Sequence, residues 1–418
     1  MDRQKLKIVL VNHSDARGGA AVATRRLMNA LRREGVDARM VVVHKDTDAL
    51  CVAEAAGSIA SKGAFLSEHA EIALHNGFDR NTLFKISTGH FGLPICDHPW
   101  VKEADMVILN WVNQGMMSLR GIRRLAARKP VVWVMHDQWN MTGICHYTDK
   151  CMGWLSECNK CPLLPQSKLA HKVYLAKKKL YEATDMTFVA VSHRLADICR
   201  QSPLMQRCDI KVIPNVLPVD KFGIRPSRTR EQLGLPVSGR LVVMGAARLD
   251  DPVKNLPLAI EALNRVSTPG VTAVFYGNIR DKSLFERLDK PYVWLGPLDS
   301  TEHIQALMAN SDVILSTSVW ETLPTTVIEG VSTGMAAVAT SNGGQADIID
   351  AATGFIVDAQ GDINTDSQAV ARAIDMALLM PFDSDARQAR HRLMAERFSP
   401  AVIARRYIAL ADSLLNRV

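Results

Sequence analysis

The stretch 313-VILSTSVWETLPTTVIEG-330 decides the fold. A short apolar run, VILSTS (313–318), is followed by a loop carrying Trp320 and Glu321. Pro324 and two threonines then open a segment, 325–333, with helical spacing. A brief apolar run bounded by turn residues reads as a strand covered on both faces of a parallel sheet. Proline at a helix start loses no hydrogen bond, because the first turn has no acceptor for that N–H. The stretch is therefore one strand–loop–helix unit, with its loop at the carboxyl end of the strand.

Working outward, the same unit recurs. RLVVMGA (240–246), AVFYG (273–277), YVWLG (292–296), AAVAT (336–340) and GFIVD (354–358) read as strands, with helices at 256–265, 301–310 and 366–381. An earlier series holds KIVLVN (7–12), RMVVV (39–43), MVILNW (106–111), VVWVM (131–135), FVAVS (188–192) and IKVIPN (210–215), with helices such as 20–34 and 168–183. Between the two lies 214-PNVLPVDKFGIRPS-227, proline-rich and without periodicity, which reads as a hinge. A chain of 418 residues is longer than one hydrophobic core usually organises. The reading is α/β, with two Rossmann-like β/α/β domains, 1–215 and 216–398, and ligands at the carboxyl ends of the strands. The tail 399–418 begins Ser-Pro and has helical spacing.

Composition narrows the class. Hydrophobic residues make up 47% and charged residues 22%, as in an ordinary globular protein. No apolar run approaches the roughly 18 residues of a membrane span, and the N-terminus enters a strand pattern without a signal-peptide core. A cytoplasmic protein with reduced thiols is expected. The net charge of +7 is spread along the chain, densest at Arg25, Arg26, Arg32 and Arg33 and at Arg120, Arg123, Arg124 and Arg128. Solvated helix faces account for both groups; peripheral attraction to an anionic membrane or a phosphate-bearing acceptor is the sharper reading.

Charged residues cluster where strands end. Glu321 and Glu329 flank the opening helix of 319-VWETLPTTVIEG-330, whose free N–H groups and dipole favour a phosphate. The two carboxylates could grip hydroxyls at both ends of a nucleotide-sugar; a cap and a surface glutamate explain them as well. Arg248 and Lys254, in 245-GAARLDDPVKN-255, suit a diphosphate whose charge grows as its bond to a sugar breaks, unless Asp250 and Asp251 simply pair with them. Gly18 and Gly19 follow the first strand and open a helix, with a spacing that disfavours a dinucleotide cofactor. His136, in 134-VMHDQWN-140, ends a strand on the ligand side of the first sheet.

Together these motifs resemble glycosyltransferase family 4, the retaining nucleotide-sugar transferases of GT-B fold, over nearly the whole chain. The closest likeness is to the capsule and exopolysaccharide branch that includes colanic-acid-type enzymes. It is carried by 17-RGGAAVATRRL-27, 108-ILNWVNQGMMSL-119, 133-WVMHDQWNMTGICHY-147, 188-FVAVSHRLAD-197, 211-KVIPN-215 and 342-NGGQADII-349. The resemblance implies two domains facing a central cleft, with acceptor on the first, donor on the second, and the last helix crossing back to the first. It implies that Glu321 holds sugar hydroxyls and Glu329 the ribose. Arg248 and Lys254 take the diphosphate, and His136 lies near the reactive carbon. Gly18-Gly19 closes on the phosphates, and Leu323, Pro324, Thr325 and Thr326 line the donor loop. It further implies transfer of a hexose from a UDP- or GDP-sugar to a lipid-linked or oligosaccharide acceptor, with no cofactor or catalytic metal. Departures are Asn110, where relatives often carry histidine, Thr322 and Pro324 in place of a glycine-rich turn, and Met335 after Gly334.

Four of the eight cysteines fall in 145-CHYTDKCMGWLSECNKC-161, spaced C-x5-C-x6-C-x2-C. Cys145, Cys151, Cys158 and Cys161 fit a closed structural zinc site that would pin a long loop near the acceptor, and His146 could replace one of them. Reduced thiols, two disulfides and an iron–sulfur cluster are the alternatives. Two other functions share parts of this pattern: a nucleotide-sugar 2-epimerase of the same fold, and a zinc-bearing nucleic-acid-binding protein. The second calls for a basic face with interleaved aromatics, and only Tyr147 and Trp154 lie among the cysteines. No nucleic-acid partner is expected.

Overall fold

The computed structural model describes residues 5–298 and 300–416. The chain divides into two compact units, Met1–Val216 with Ile403–Val418, and Leu217–Val402. The first contains strands β1 (Lys7–Ser14), β2 (Asp37–His44), β3 (Val52–Glu54), β4 (Met106–Leu109), β5 (Val131–Met135), β6 (Thr187–Ala190) and β7 (Asp209–Val212). The second contains β8 (Arg240–Arg248), β9 (Val271–Asn278), β10 (Tyr292–Trp294), β11 (Val313–Ser316), β12 (Ala336–Thr340) and β13 (Gly354–Val357).

Both sheets are parallel. Their orders are β3-β2-β1-β4-β5-β6-β7 and β10-β9-β8-β11-β12-β13. Each order reverses beside its first strand, so crevices open outside the carboxyl ends of β1 and β4, and of β8 and β11. Every residue of β4, β5, β6, β11 and β12 is buried, which is why these strands read as unbroken apolar runs. The short β3 has one buried residue of three and escapes that pattern.

In the second unit, helices Leu256–Arg265 and Ile363–Leu378 cover one face of the sheet, closing a core of Ile260, Leu263, Phe275, Val338 and Ile374. Each such side chain contributes roughly 1.5–3 kcal/mol on burial. Buried Asp312 anchors the amino ends of the strands, accepting from Arg240 Nη1 and Leu241 N, both at 2.9 Å. The last helix, Pro400–Leu415, buries Ile403, Ala404, Tyr407 and Ala411. Within the first unit its Arg405 meets Glu34 at 3.0 Å, and Arg406 donates to Val212 O at 2.6 Å. Among the described residues no helix is long and apolar enough to cross a membrane.

Candidate active site

The second unit's candidate residues converge on the β8/β11 crevice. Arg248 closes β8, and Asp251 caps the short turn Pro252–Lys254 by accepting from Val253 N at 3.1 Å. The loop after β11 is stitched to that turn: Val319 N donates to Val253 O (2.8 Å), and Thr317 Oγ1 to Lys254 O (3.0 Å). These bonds bring Lys254 Nζ to 2.5 Å from Glu321 Oε1, which also accepts from Ser318 Oγ at 3.0 Å. Arg248 behaves differently, with Nε 3.4 Å from Asp250 and Nη2 3.5 Å from Asp251. The two cations thus have different partners: Arg248 leans on its neighbours in sequence, and Lys254 on a glutamate 67 residues away.

Glu321 is held from behind as well. Its N–H donates to Asn342 O (3.1 Å) and its carbonyl accepts from Gly344 N (3.0 Å). At Gly343, where φ is +148°, a Cβ would stand 1.9 Å from Glu321 O, so only glycine allows this approach. Beyond it begins helix Thr325–Ser332, with Pro324 at the N-cap. Val327 and Ile328 donate back to Pro324 O, so the amides of Thr325 and Thr326 precede the first intrahelical bonds. The Leu323 side chain is buried rather than offered to solvent. Glu329 is buried beside Tyr276, whose phenol is pushed up by burial and by that carboxylate. The Tyr276 hydroxyl and both amide atoms of Gln345 are buried without hydrogen-bond partners.

In the first unit, Gly18 (φ +87°, ψ 167°) is the N-cap of helix Gly19–Arg33, a conformation open only to glycine. Neither Gly18 nor Gly19 has a heavy atom within 4 Å of an added Cβ, so that helix start is sterically open. His136 Nε2 lies 3.0 Å from Asn110 Oδ1. Asn110 Nδ2 points to Ile108 O (3.4 Å), leaving Oδ1 to accept and fixing the Nε2–H tautomer. Burial lowers His136 to about 4, with Asp137 pulling the other way, so the ring is neutral. Asn110 is thereby given a role: it orients His136.

Beside His136 lies a chain that the sequence reading did not assemble. Asp137 Oδ2 accepts from Trp111 Nε1 (2.9 Å) and from His146 Nδ1 (2.7 Å), and His146 Nε2 lies 3.0 Å from Ser87 Oγ. Burial opposes the charge of Asp137, but His146, Trp139 N and Trp111 outweigh it and hold the carboxyl below its ordinary value. The connectivity matches that of a nucleophilic triad, yet Ser87 is 0% exposed and offers no attack path. Its work is structural: together with the Ile86–Cys145 bridge, it ties the start of the cysteine loop to residues 86–87.

The four clustered cysteines come to one region. The Cys145 and Cys161 thiols influence one another, the first being pushed up and the second drawn down to about 6, and Leu164 N donates to Cys161 O (3.2 Å). Cys158 Sγ accepts from Gly143 N (3.2 Å), and Cys151 Sγ from Gly153 N (3.4 Å). All four thiols are free of disulfides. Among the described residues no three His, Cys, Asp or Glu side chains stand close enough to hold a metal ion, so the thiols form a gathered, open set.

Residues 240–379 match the family described as Glycosyl transferases group 1. They form a glycosyl transferases group 1 domain. The domain contains Arg248, Lys254, Glu321 and Glu329. The chain is 30% identical over 139 residues to WcaC of Escherichia coli (strain K12), a protein described as a colanic acid biosynthesis glycosyl transferase. That match covers 31% of this chain and 34% of the relative, about a third of its length. Among solved structures, Anabaena HepE in complex with UDP-glucose aligns with 98% of this chain and all of its own (TM-score 0.62, 18% identity). A glycosyltransferase from Rickettsia africae aligns over the full length of both chains (TM-score 0.66, 16% identity). At these identities the likeness is one of fold: two Rossmann-like domains, the GT-B architecture.

The group 1 domain gathers two cations, two carboxylates and a helix start, a set that can bind a phosphorylated, hydroxyl-rich ligand. Motif spacing named its charged members. It did not reveal Ser318, Gly343, Tyr276 or Gln345, since a hydroxyl, a close approach and an orphaned amide leave no mark in spacing alone. Only 342-NGGQADII-349, read as a family mark, pointed toward Gly343 and Gln345.

Proposed function

We propose that the chain is a retaining glycosyltransferase of family 4, moving a hexose from a UDP- or GDP-sugar to a hydroxyl of a growing, lipid-linked surface polysaccharide. The observation that carries the reading is the Lys254–Glu321 contact in the crevice of a group 1 domain, supported by Ser318. A nucleotide-sugar would place its diphosphate by Arg248, Lys254 and the amides of Thr325 and Thr326, where charge growing on the leaving group is met by fixed positive charge. Glu321, relieved of Lys254 by the incoming phosphate, would accept from hexose hydroxyls, and Glu329 from the ribose.

The acceptor hydroxyl arrives on the face from which the diphosphate departs, its proton passing to the departing phosphate oxygen, and configuration is retained. For His136, neutral and oriented by Asn110, the family resemblance implies a place near the reactive carbon. The chain's own cations carry the leaving-group charge, so transfer is expected to need no added divalent metal. The colanic-acid name of the relative supports a polysaccharide acceptor. Exposed Arg32 and Arg33 of helix Gly19–Arg33, with Arg120 and Arg123 of helix Leu119–Ala126, would supply the positive charge for peripheral membrane contact, whereas Arg124 is paired with Asp97.

The test is an incubation with labelled UDP- and GDP-hexoses, with and without lipid-linked acceptor. Label entering the organic-extractable fraction together with nucleotide release supports the reading. Epimerised donor in the acceptor-free tube would replace it with the 2-epimerase, and neither binding nor turnover of any donor would overturn it.

A further inference from the structure

We infer that helix Ser58–His75 of the first unit, with the turn that follows it, is a docking face for an anionic lipid bilayer. What the docking is for rests on the lipid-linked-acceptor reading; the binding itself does not.

The first argument is the side of the helix that faces water. Ile59, Gly63, Leu66, Ala70 and Leu74 recur at steps of four, three, four and four residues. On an α-helix these positions fall within an arc of about 80°. All five are exposed, and the large side chains strongly so: Ile59 at 90%, Leu66 at 63% and Leu74 at 72%. The turn after the helix exposes two phenylalanines as well, Phe78 and Phe84. Single exposed leucines need no explanation, whereas a continuous apolar stripe marks a surface that binds something.

The second is that the stripe is held outward. On the opposite side Glu68 is buried, and its Oε1 accepts from Thr88 N (2.6 Å) and Gly89 N (3.0 Å). Glu71 meets His90 at 2.7 Å. Rolling the leucines inward would pull Glu68 off two backbone donors and leave those donors unpaired. The fold therefore fixes the apolar side toward solvent.

The third is charge. Lys62, Arg80 and Lys85 are exposed on this segment. Its three acids are withdrawn or engaged: Glu68 and Glu71 as described, and Asp79, which accepts from Asn81 N at 2.9 Å. Apolar side chains accompanied by cations suit the surface of an anionic bilayer, where the chains enter the acyl boundary and the cations meet lipid phosphates. A second copy of the chain suits it less, because a two-fold contact would set these cations against themselves.

Placement gives the contact its use. An added Cβ at Gly115, in the loop after β4, would stand 2.6 Å from Ala64 C and 2.7 Å from Phe65 N, so the helix lies directly on that loop. The loop leaves the carboxyl end of β4, where the crevice of the first sheet opens. A bilayer seated on the stripe delivers a lipid-anchored acceptor beside that crevice.

The experiment is flotation of the full chain with vesicles, without donor or acceptor. Vesicles of phosphatidylcholine with about one-third phosphatidylglycerol should carry the protein upward, and vesicles of phosphatidylcholine alone should carry much less of it. Added salt should weaken the binding without abolishing it, since it screens the cations and not the apolar stripe. L66S/L74S should weaken binding by roughly tenfold or more, with the melting temperature unchanged, because both side chains are already exposed. L379S, at a comparably exposed leucine of the second unit, should float like the wild type. Amides of residues 58–85 should exchange hydrogen more slowly on the mixed vesicles in the wild type and not in L66S/L74S. A wild type that floats with neither vesicle, a double variant that floats as well as the wild type, or self-association lost in L66S/L74S in place of flotation would each overturn the inference. Flotation without transfer would count against the transferase reading alone.

Discussion

Lys254 Nζ stands 2.5 Å from Glu321 Oε1, across the crevice where strand order in the second sheet reverses. The pair is partly exposed, at 30% and 19%, and contributes little to stability. Its consequence is electrostatic: the lysine is parked on the carboxylate that a sugar would claim, beside the position a diphosphate would claim.

Lys254→Ala and Glu321→Gln should each lower kcat/KM for the donor by roughly 100-fold or more, as for removal of a positioned charge-stabilising group. The double variant should lose less than the product of the two, because the residues act on one donor through one contact. Melting temperature should move little. Steady-state kinetics of the three variants check this, and strictly multiplicative losses would show that the contact is incidental.

Gly343→Ala should displace Glu321, since the new Cβ would stand 1.9 Å from its carbonyl oxygen. A loss of about 1–3 kcal/mol is expected, the range for strain of this kind, together with weaker donor binding. Gly19→Ala, with nothing within 4 Å of its Cβ, should leave stability unchanged or slightly raised. Urea denaturation of both variants, with nucleotide-sugar titration, separates the two cases.

Acidification should destabilise the first unit between about pH 6.5 and 4. His13 and His136 are both lowered to about 4, chiefly by burial; for His13, His44, Arg17 and His69 add to it, and for His136, Asp137 opposes it. In that window the unfolded chain binds protons that the folded chain refuses. Stability is complete above pH 6.5 and is lost as pH falls toward 4, by at most about 3 kcal/mol per ring. Melting curves at pH 7, 6 and 5 should show the decline, and His13→Gln should flatten it; an unchanged slope in that variant would count against a neutral buried His13.

Asp312→Ala should destabilise the second unit by about 3–5 kcal/mol, because Arg240, Arg230 and Arg387 would lose their shared carboxylate, 4% exposed. Chemical denaturation followed by tryptophan fluorescence reads this out. Donor affinity of the surviving folded protein should be unchanged, since Asp312 immediately precedes β11 and Glu321 follows its other end.

Much of the fold was legible in local sequence. Strands such as VVWVM and AAVAT announce themselves because a parallel sheet buries both faces, so the signal lies in consecutive residues. Helix Ser58–His75, which the sequence reading did not place, is the opposite case. It exposes Ile59, Leu66 and Leu74 and buries Glu68, whose carboxylate accepts from Thr88 N (2.6 Å) and Gly89 N (3.0 Å). With its apolar residues outside and a charge inside, its periodicity carries no amphipathic signal.

The sequence by itself determined the two series of strand–loop–helix units and the residue types at the strand ends, because backbone direction places the loop after each strand on the ligand side. Only the tertiary structure decided who meets whom. Asp251 stands as near to Lys254 in sequence as to Arg248, yet Arg248 takes it, with Asp250, while Lys254 crosses to Glu321. Asn110 orients His136, 26 residues away. The reason is physical: propensity and periodicity act over a few residues, whereas a side chain's partner is chosen by which loops the sheet order brings side by side, at separations that sequence spacing does not encode.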